Sequence, residues 1–340
     1  MQLWTEIFDP EELSAFARKS LMEKESQEAK GSLAAFLPDE TVDDTSVRFY
    51  RTDNGLPEAA TYRAWDAESS IGGSDNVERV TIDLPPVSRK ERIGELDSIL
   101  AASNSGELAQ KKSILKVIER VTRAVSDRVE LARASLIQTG RIQINDLGFK
   151  VNADMGRRAG NSKTVANLWS DAAAATPLQD IEAWVTDYIA VNGVPPENAI
   201  ISRTAMAALK RSEEVRSALV GTLATPSIVT DSMVISILQE AGLRNIQTYD
   251  RRLNVGGTTR HFVDQDSVLL LPAAGTSELG RTVWGRTAEA TAPEYAISEA
   301  PGILAATLKQ DDPYGIWGRA NAVVLPILEN PDASMVAKVL

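Results

Sequence analysis

The chain has 340 residues, the length of about two domains at roughly 150 residues each. Its 36 Lys and Arg against 47 Asp and Glu leave a net charge of −11, with no cysteine and one histidine. Disulfides, thiolate nucleophiles, Cys-ligated zinc and iron–sulfur clusters are thereby excluded, while His-rich metal sites and Ser-His-Asp chemistry would all depend on His261.

Residues 1–45 hold four basic and eleven acidic side chains, a net −7. Within them Asp9-Pro10-Glu11-Glu12 reads as a helix start, with Asp9 at the N-cap and Pro10 at the first turn. The helix over about Pro10–Lys24 carries an apolar stripe of Leu13, Phe16, Ala17 and Leu21; Lys30 to Asp44 has no clear period. This segment is expected to be an arm that needs another chain beneath it to be ordered. Val47–Arg51 and Val77–Leu84 read as strands, the second stopped by Pro85-Pro86. As two legs of one arm, residues 47–84 reach up to ~60 Å at ~3.3 Å per residue.

Ile114, Ile118, Val121, Val125, Val129, Ala132 and Leu136 recur at steps of three and four, predicting a helix from about Gly106 or Glu107 to Thr139, stopped by Gly140. Its other faces carry Lys111, Lys112, Lys116, Arg120, Arg123, Arg128 and Arg133. A coiled coil is the weaker reading of the stripe, because it lasts only about four heptads. A hairpin follows over Arg141–Asn145 and Phe149–Val151. Past Trp169 the pattern turns α/β. Helices are expected over about Pro177–Ala190, Thr204–Leu209, Glu213–Leu219 and Ser232–Ala241. In the first of these Ile181, Trp184, Val185, Tyr188 and Ile189 point inward. Strands are expected over Asn198–Ser202, Ile246–Tyr249 and Ser267–Leu271, the last two flanking a Gly256-Gly257 turn.

No constellation of residues rises to an active site. Gly156–Thr164 resembles a phosphate loop, but Asn161-Ser162 separate the glycine from Lys163, so a basic mobile loop is the better reading. His261 reads as a strand-edge or loop histidine, with no nucleophile nearby and no acid in the same short element. Asp311-Asp312 before Pro313 reads as a solvated turn, not an oxygen-ligated metal site. Arg157-Arg158 and Arg251-Arg252 are ordinary salt-bridge partners before they are phosphate contacts. Trp4 and Trp65 lie where no local core is expected, which points to pockets supplied by another chain. With Phe8, Phe16, Phe49, Tyr50, Arg157 and Arg158 they form the candidate inter-subunit contacts; no catalytic, cofactor or metal residue is assigned. The first ten residues lack a signal-peptide pattern, and runs such as Asp266–Ala274 fall short of the ~18 residues that span a bilayer.

The order of acidic arm, two-stranded loop, long helix ending in glycine, α/β domain and returning C-terminal segment carries a resemblance. So do Ala134–Ile142, Asp180-Ile181 through Gly193, Thr248-Tyr249-Asp250 with its following Gly-Gly, and Val324–Ala333. On these residues the chain resembles the lambda-like major capsid protein E family of tailed bacteriophages, across nearly its whole length. The resemblance implies an α+β class and the Hong Kong 97-type capsid fold. It implies an N-terminal arm (1–45), an extended β-hairpin loop (46–88) and a peripheral domain (89–172 and 285–340) with a spine helix at about 107–139. An axial domain (173–284) would complete the chain. It further implies a non-enzymatic virion protein that forms hexamers and pentamers of an icosahedral head around double-stranded DNA. Its partners would be a cementing or decoration protein, a separate scaffolding protein and a portal, with assembly in the host cytoplasm. The packaged DNA would be met only by weak, non-specific proximity. The lambda-like branch is held non-covalently, so no Lys–Asn crosslink is implied. Tyr314–Arg319 departs from the family's Trp-Glu style ending. A non-viral nanocompartment shell of the same fold and an oxygen-ligated metalloenzyme are the alternatives. On this reading residues 1–45 lie over a basic strip of an adjacent subunit, so salt alters assembly. Their deletion would then leave a folded, soluble chain unable to close shells.

Overall fold

A computed structural model describes residues 1–27, 31–52, 77–94, 107–146, 149–220, 228–298 and 301–340. The chain begins with β1 (Gln2–Leu3), α1 (Pro10–Gln27), β2 (Asp39–Thr41), β3 (Ser46–Thr52), β4 (Val77–Asp83) and β5 (Pro86–Ile93). The long helix α2 (Glu107–Thr139) leads into β6 (Arg141–Asp146), β7 (Phe149–Asp154) and β8 (Ser162–Thr164). Next come α3 (Pro177–Asn192), β9 (Asn198–Ile201), α4 (Arg203–Leu209), α5 (Glu213–Val220) and α6 (Asp231–Glu240). Then follow β10 (Asn245–Thr248), β11 (Arg252–Val255), β12 (Thr258–His261), β13 (Ser267–Leu271), β14 (Gly280–Gly285) and α7 (Ala288–Thr291). The chain closes with β15 (Leu304–Asp311), β16 (Tyr314–Leu328) and β17 (Met335–Lys338).

Among the described residues these strands form two sheets and three two-stranded pairs. The first sheet runs β1-β15-β16-β14-β2, with β5 also paired to β16; the second runs β10-β9-β13-β17-β8. β3 with β4, β6 with β7 and β11 with β12 form separate antiparallel pairs. The organising strand is β16, whose 15 residues take β15 and β5 along their first half and β14 along their second. Alternation turns Ile316, Ala320, Ala322 and Val324 into one buried cluster with Ile114, Val117, Ile118, Val121 and Val125 of α2. Small residues on this face let the helix approach closely. A Cβ added at Gly318 would lie 2.6 Å from Val117 Cγ1. Gly318→Ala is therefore expected to cost about 1–3 kcal/mol by overpacking, read as a lower Tm in thermal unfolding.

The helix stripe is thus spent on the chain's own sheet and α1, not on a coiled coil. At its C-terminal end Ala134, Leu136 and Ile137 enter a second cluster with Phe36, Val47, Phe49, Ile142 and Val283. Gly140 closes the helix with φ +67°, a conformation only glycine adopts without cost. A third cluster fills the second sheet, where Trp169 and Trp184 stack with centroids 5.8 Å apart and α3, α4 and α6 pack on β9 and β13.

Several expectations are corrected. Residues 1–45 pack on their own chain: β1 pairs with β15, and β2 pairs in parallel with β14. Leu13 and Ala17 are fully buried beside α2, and Ser14 Oγ accepts from Ala305 N–H at 3.0 Å. The stripe of α1 covers a flank of α2 and β15 that would otherwise be bare. The acids expected to meet a neighbour are held in place as well, Asp39 by Arg133, Glu40 by Arg281 and Asp43 by Arg286. β4 does end at Asp83, before Pro85-Pro86, but a further strand not expected there opens at Pro86; at the first position of an edge strand its missing N–H costs no ladder bond. Residues 156–164 are not a mobile loop, since a 3-10 turn at Ala159–Asn161 leads into β8, which pairs with β17. The Gly256-Gly257 turn, with both φ positive, joins β11 to β12 and not the flanking strands. Ile189 is exposed on α3. Sheet membership also departs from the expected division, because β14 belongs to the first sheet while β8 and β17 belong to the second.

Candidate functional site

The structure does not gather the candidate contact residues into one place. Trp4 is 8% exposed and sits in the α1–α2 cluster, its N–H donating to Thr307 O at 3.0 Å and its carbonyl accepting from Thr307 Oγ1 at 2.7 Å. The pocket expected from another chain is supplied by this one. Phe49 is likewise buried in its own core, and Phe8 and Phe16 pack half-buried against the α1–α2 cluster, with Lys111 Nζ 6.0 Å from the Phe8 ring centre. The Tyr50 side chain and Trp65 lie outside the described residues.

Arg157 and Arg158 have internal roles. Arg157 Nη1 donates to Ile137 O and Nη2 to Gln138 O, both at 2.6 Å, so one guanidinium fork caps the last turn of α2. Burial pulls its pKa down to about 10, opposed by Asp332 and Asp154, and it stays cationic at neutral pH. Arg158 holds Asp332 Oδ2 at 3.0 Å, and Asn161 Nδ2 donates to the Asp332 carbonyl at 3.0 Å. Arg157→Met is expected to lose about 1.5–3 kcal/mol per charged bond, seen as a lower Tm. Arg157→Lys should rescue little, because an ammonium cannot reproduce the fork.

The densest polar site was hidden in the sequence. Arg133, expected on an outer face of α2, is 1% exposed, and Glu130 is 3% exposed. Glu130 Oε1 accepts from Leu33 N–H at 2.8 Å and from Tyr249 Oη at 3.0 Å; Arg251 Nη1 lies 3.5 Å away. Arg133 Nε donates to Thr282 Oγ1 at 2.9 Å and Nη2 to Asp39 Oδ1 at 2.5 Å. Asp127 adds Lys24 at 2.8 Å and Arg251 at 3.6 Å. Three cations and three anions thus tie α1, residues 32–39, α2, β14 and the loop at 249–251 together. Nothing in the local sequence separates these charges from solvated ones; only the tertiary fold does. The network neutralises itself and serves to hold segments together.

His261 lies in β12 with Nδ1 3.2 Å from Asp250 Oδ1 in the loop between β10 and β11, so the fold supplies the acid that its own element lacks. A cleft of about 890 Å³ opens on the first sheet, lined by Leu3, Lys90, Tyr295, Leu308 and Arg319 among others. Among the described residues, no group of three or more His, Cys, Asp or Glu is placed to hold a metal ion. Among those same residues, no helix is long and apolar enough to cross a membrane.

A long helix laid over one mixed sheet, a paired hairpin base beside it and a second α/β unit define the Hong Kong 97-type capsid fold. The chain is similar to a protein of Escherichia coli CFT073 assigned as a prophage capsid protein, with TM-score 0.67 and 16% identity over 96% of this chain and 99% of that one. It is similar to a phage-related protein of Bordetella bronchiseptica RB50 (TM-score 0.53, 14% identity, 96% and 95% covered). It is also similar to a virus-like particle from Pyrococcus furiosus (TM-score 0.50, 12% identity, 95% and 98% covered). No protein of curated function matches the chain significantly. The sequence profile described as phage major capsid protein E matches residues 31–339. The chain belongs to that family: it is a major capsid protein, a structural component that associates with its own copies into the shell of a virion.

Proposed function

We propose that copies of this chain assemble in the host cytoplasm as hexamers and pentamers of an icosahedral head that encloses double-stranded DNA. The family match over residues 31–339 carries this reading. The first sheet with α2 would be the peripheral unit and the second sheet with its helices the axial unit, meeting copies around the local symmetry axes. The β3–β4 pair, with residues 53–76 between its strands, would be the base of an extended loop reaching a neighbour. Trp65, midway along that segment in sequence, is the aromatic contact candidate. A scaffolding protein, a portal and a decoration protein would complete assembly. With no cysteine, shell strength would come from overlap of obligate interfaces of ~2,000–5,000 Å².

Negative-stain microscopy of the expressed protein, alone and with its scaffolding protein, tests this. Closed particles with five-fold and six-fold capsomers are expected in at least one arm. Rings or filaments that never close in either arm would count against it.

A further inference from the structure

Every described acid in residues 39–43 is paired within the chain, yet one cationic strip on α2 is not. Lys112, Lys116, Arg120 and Arg123 are exposed and lie on the face of α2 opposite the buried stripe of Ile114, Val121 and Val125. At about 1.5 Å per residue they form a line of roughly 16 Å. Arg120 is held by Glu91 at 3.0 Å. Among the described residues, Lys112, Lys116 and Arg123 have no ion-pair partner, and the only acid exposed beside them on α2 is Glu119. A surplus of this kind stands out in a chain of net charge −11.

We infer that this strip is a contact site for the phosphate backbone of double-stranded DNA on the inner side of the shell, an inference that rests on the capsid reading above. Three features point to a polyanion over a folded protein partner. No apolar side chain between Lys112 and Arg123 is exposed, so the strip lacks the anchor around which protein interfaces gain affinity. Its cations recur at near-regular steps along one face of the helix, which lets them sit beside a row of phosphates and carries no sequence information. The opposite face of the helix is buried against β16 and α1, so the backbone that carries the cations needs no ordering on binding. The contact is weak and salt-sensitive for each subunit and becomes substantial through the many copies of a shell.

The test compares the full-length protein with two triple variants of equal charge change. One is Lys112→Gln, Lys116→Gln, Arg123→Gln; the control is Lys150→Gln, Arg203→Gln, Arg260→Gln, at exposed cations elsewhere. Affinity for a short duplex is measured between 50 mM and 200 mM salt, choices that bracket the steep range of counterion release. Losing three phosphate contacts lowers the log–log slope by about 2.7, so the wild type should lose roughly 40-fold more affinity across that range than the strip variant. The control should follow the wild type. Equal slopes for the wild type and the strip variant, or equal losses in both variants, would overturn the site. So would a strip variant that binds DNA normally but no longer co-assembles with its scaffolding protein, which would assign the strip to an acidic protein. Circular dichroism and particle formation are recorded for all three proteins. A wild type that binds through the strip but never forms particles leaves the site standing and removes the shell reading instead.

Discussion

Removing residues 1–45 is expected to leave a chain that does not fold, the reverse of what an arm laid over a neighbour would give. The cut takes away Leu33, Phe36 and Leu37, which are 0–2% exposed in the core beside α2. Each such loss costs about 2–5 kcal/mol. It also strips β2 from β14 and takes Asp39 from Arg133, leaving a buried cation short of its partner, a further ~3–5 kcal/mol. The total exceeds much of the ~5–15 kcal/mol that holds a domain together. Expression of the truncated chain should yield insoluble protein or, if soluble, one without a cooperative thermal transition. A folded truncation with the Tm of the full chain would show that these residues pack elsewhere.

The second large effect is at Glu130. Glu130→Ala removes the acceptor of Leu33 N–H and Tyr249 Oη and takes one anionic partner from each of Arg133 and Arg251. Breaking one side of a buried ion pair costs about 3–5 kcal/mol. At ~2–4 °C per kcal/mol the Tm should fall by on the order of 10 °C. Tyr249→Phe deletes one hydrogen bond of the same set and should cost about 1–2 kcal/mol. A Glu130→Ala protein as stable as the parent would mean that the network is solvated and carries no load. Calorimetry on the three proteins decides between these outcomes.

How far the sequence foretold this structure depended on whether each signal was local. The bounds of α2 could be read from the Ile114–Leu136 stripe and Gly140 because both are set within a few residues. The β3–β4 pairing and α3 were legible for the same reason, an alternating run in one case and a Thr-Pro start with an apolar stripe in the other. The pairing of β15 with β16 was not. Their runs are rich in alanine and glycine, poor strand formers in isolation, and they are strands because α2 and α1 press on small residues there. Trp4 was hard to place on the same ground. It looks homeless along the chain, yet the surface that receives it comes from Thr307, some 300 positions away. Arg133 reads as one more cation on a helix until Asp39 and Thr282 are brought to it. Arg157 caps a helix that ended many residues earlier, so no helix-end rule finds it. The resemblance read from the order of the parts and from scattered short motifs is borne out by the family match over residues 31–339.

The central claim, that a chain of 36.8 kDa works as one tile of a closed container, meets its most direct test in sedimentation velocity of the purified protein, alone and mixed with a candidate scaffolding protein. The account predicts a discrete, fast-sedimenting particle of many copies in at least one of the two samples, in exchange with capsomers and little else. A single slow boundary at the mass of one chain in both samples would contradict it.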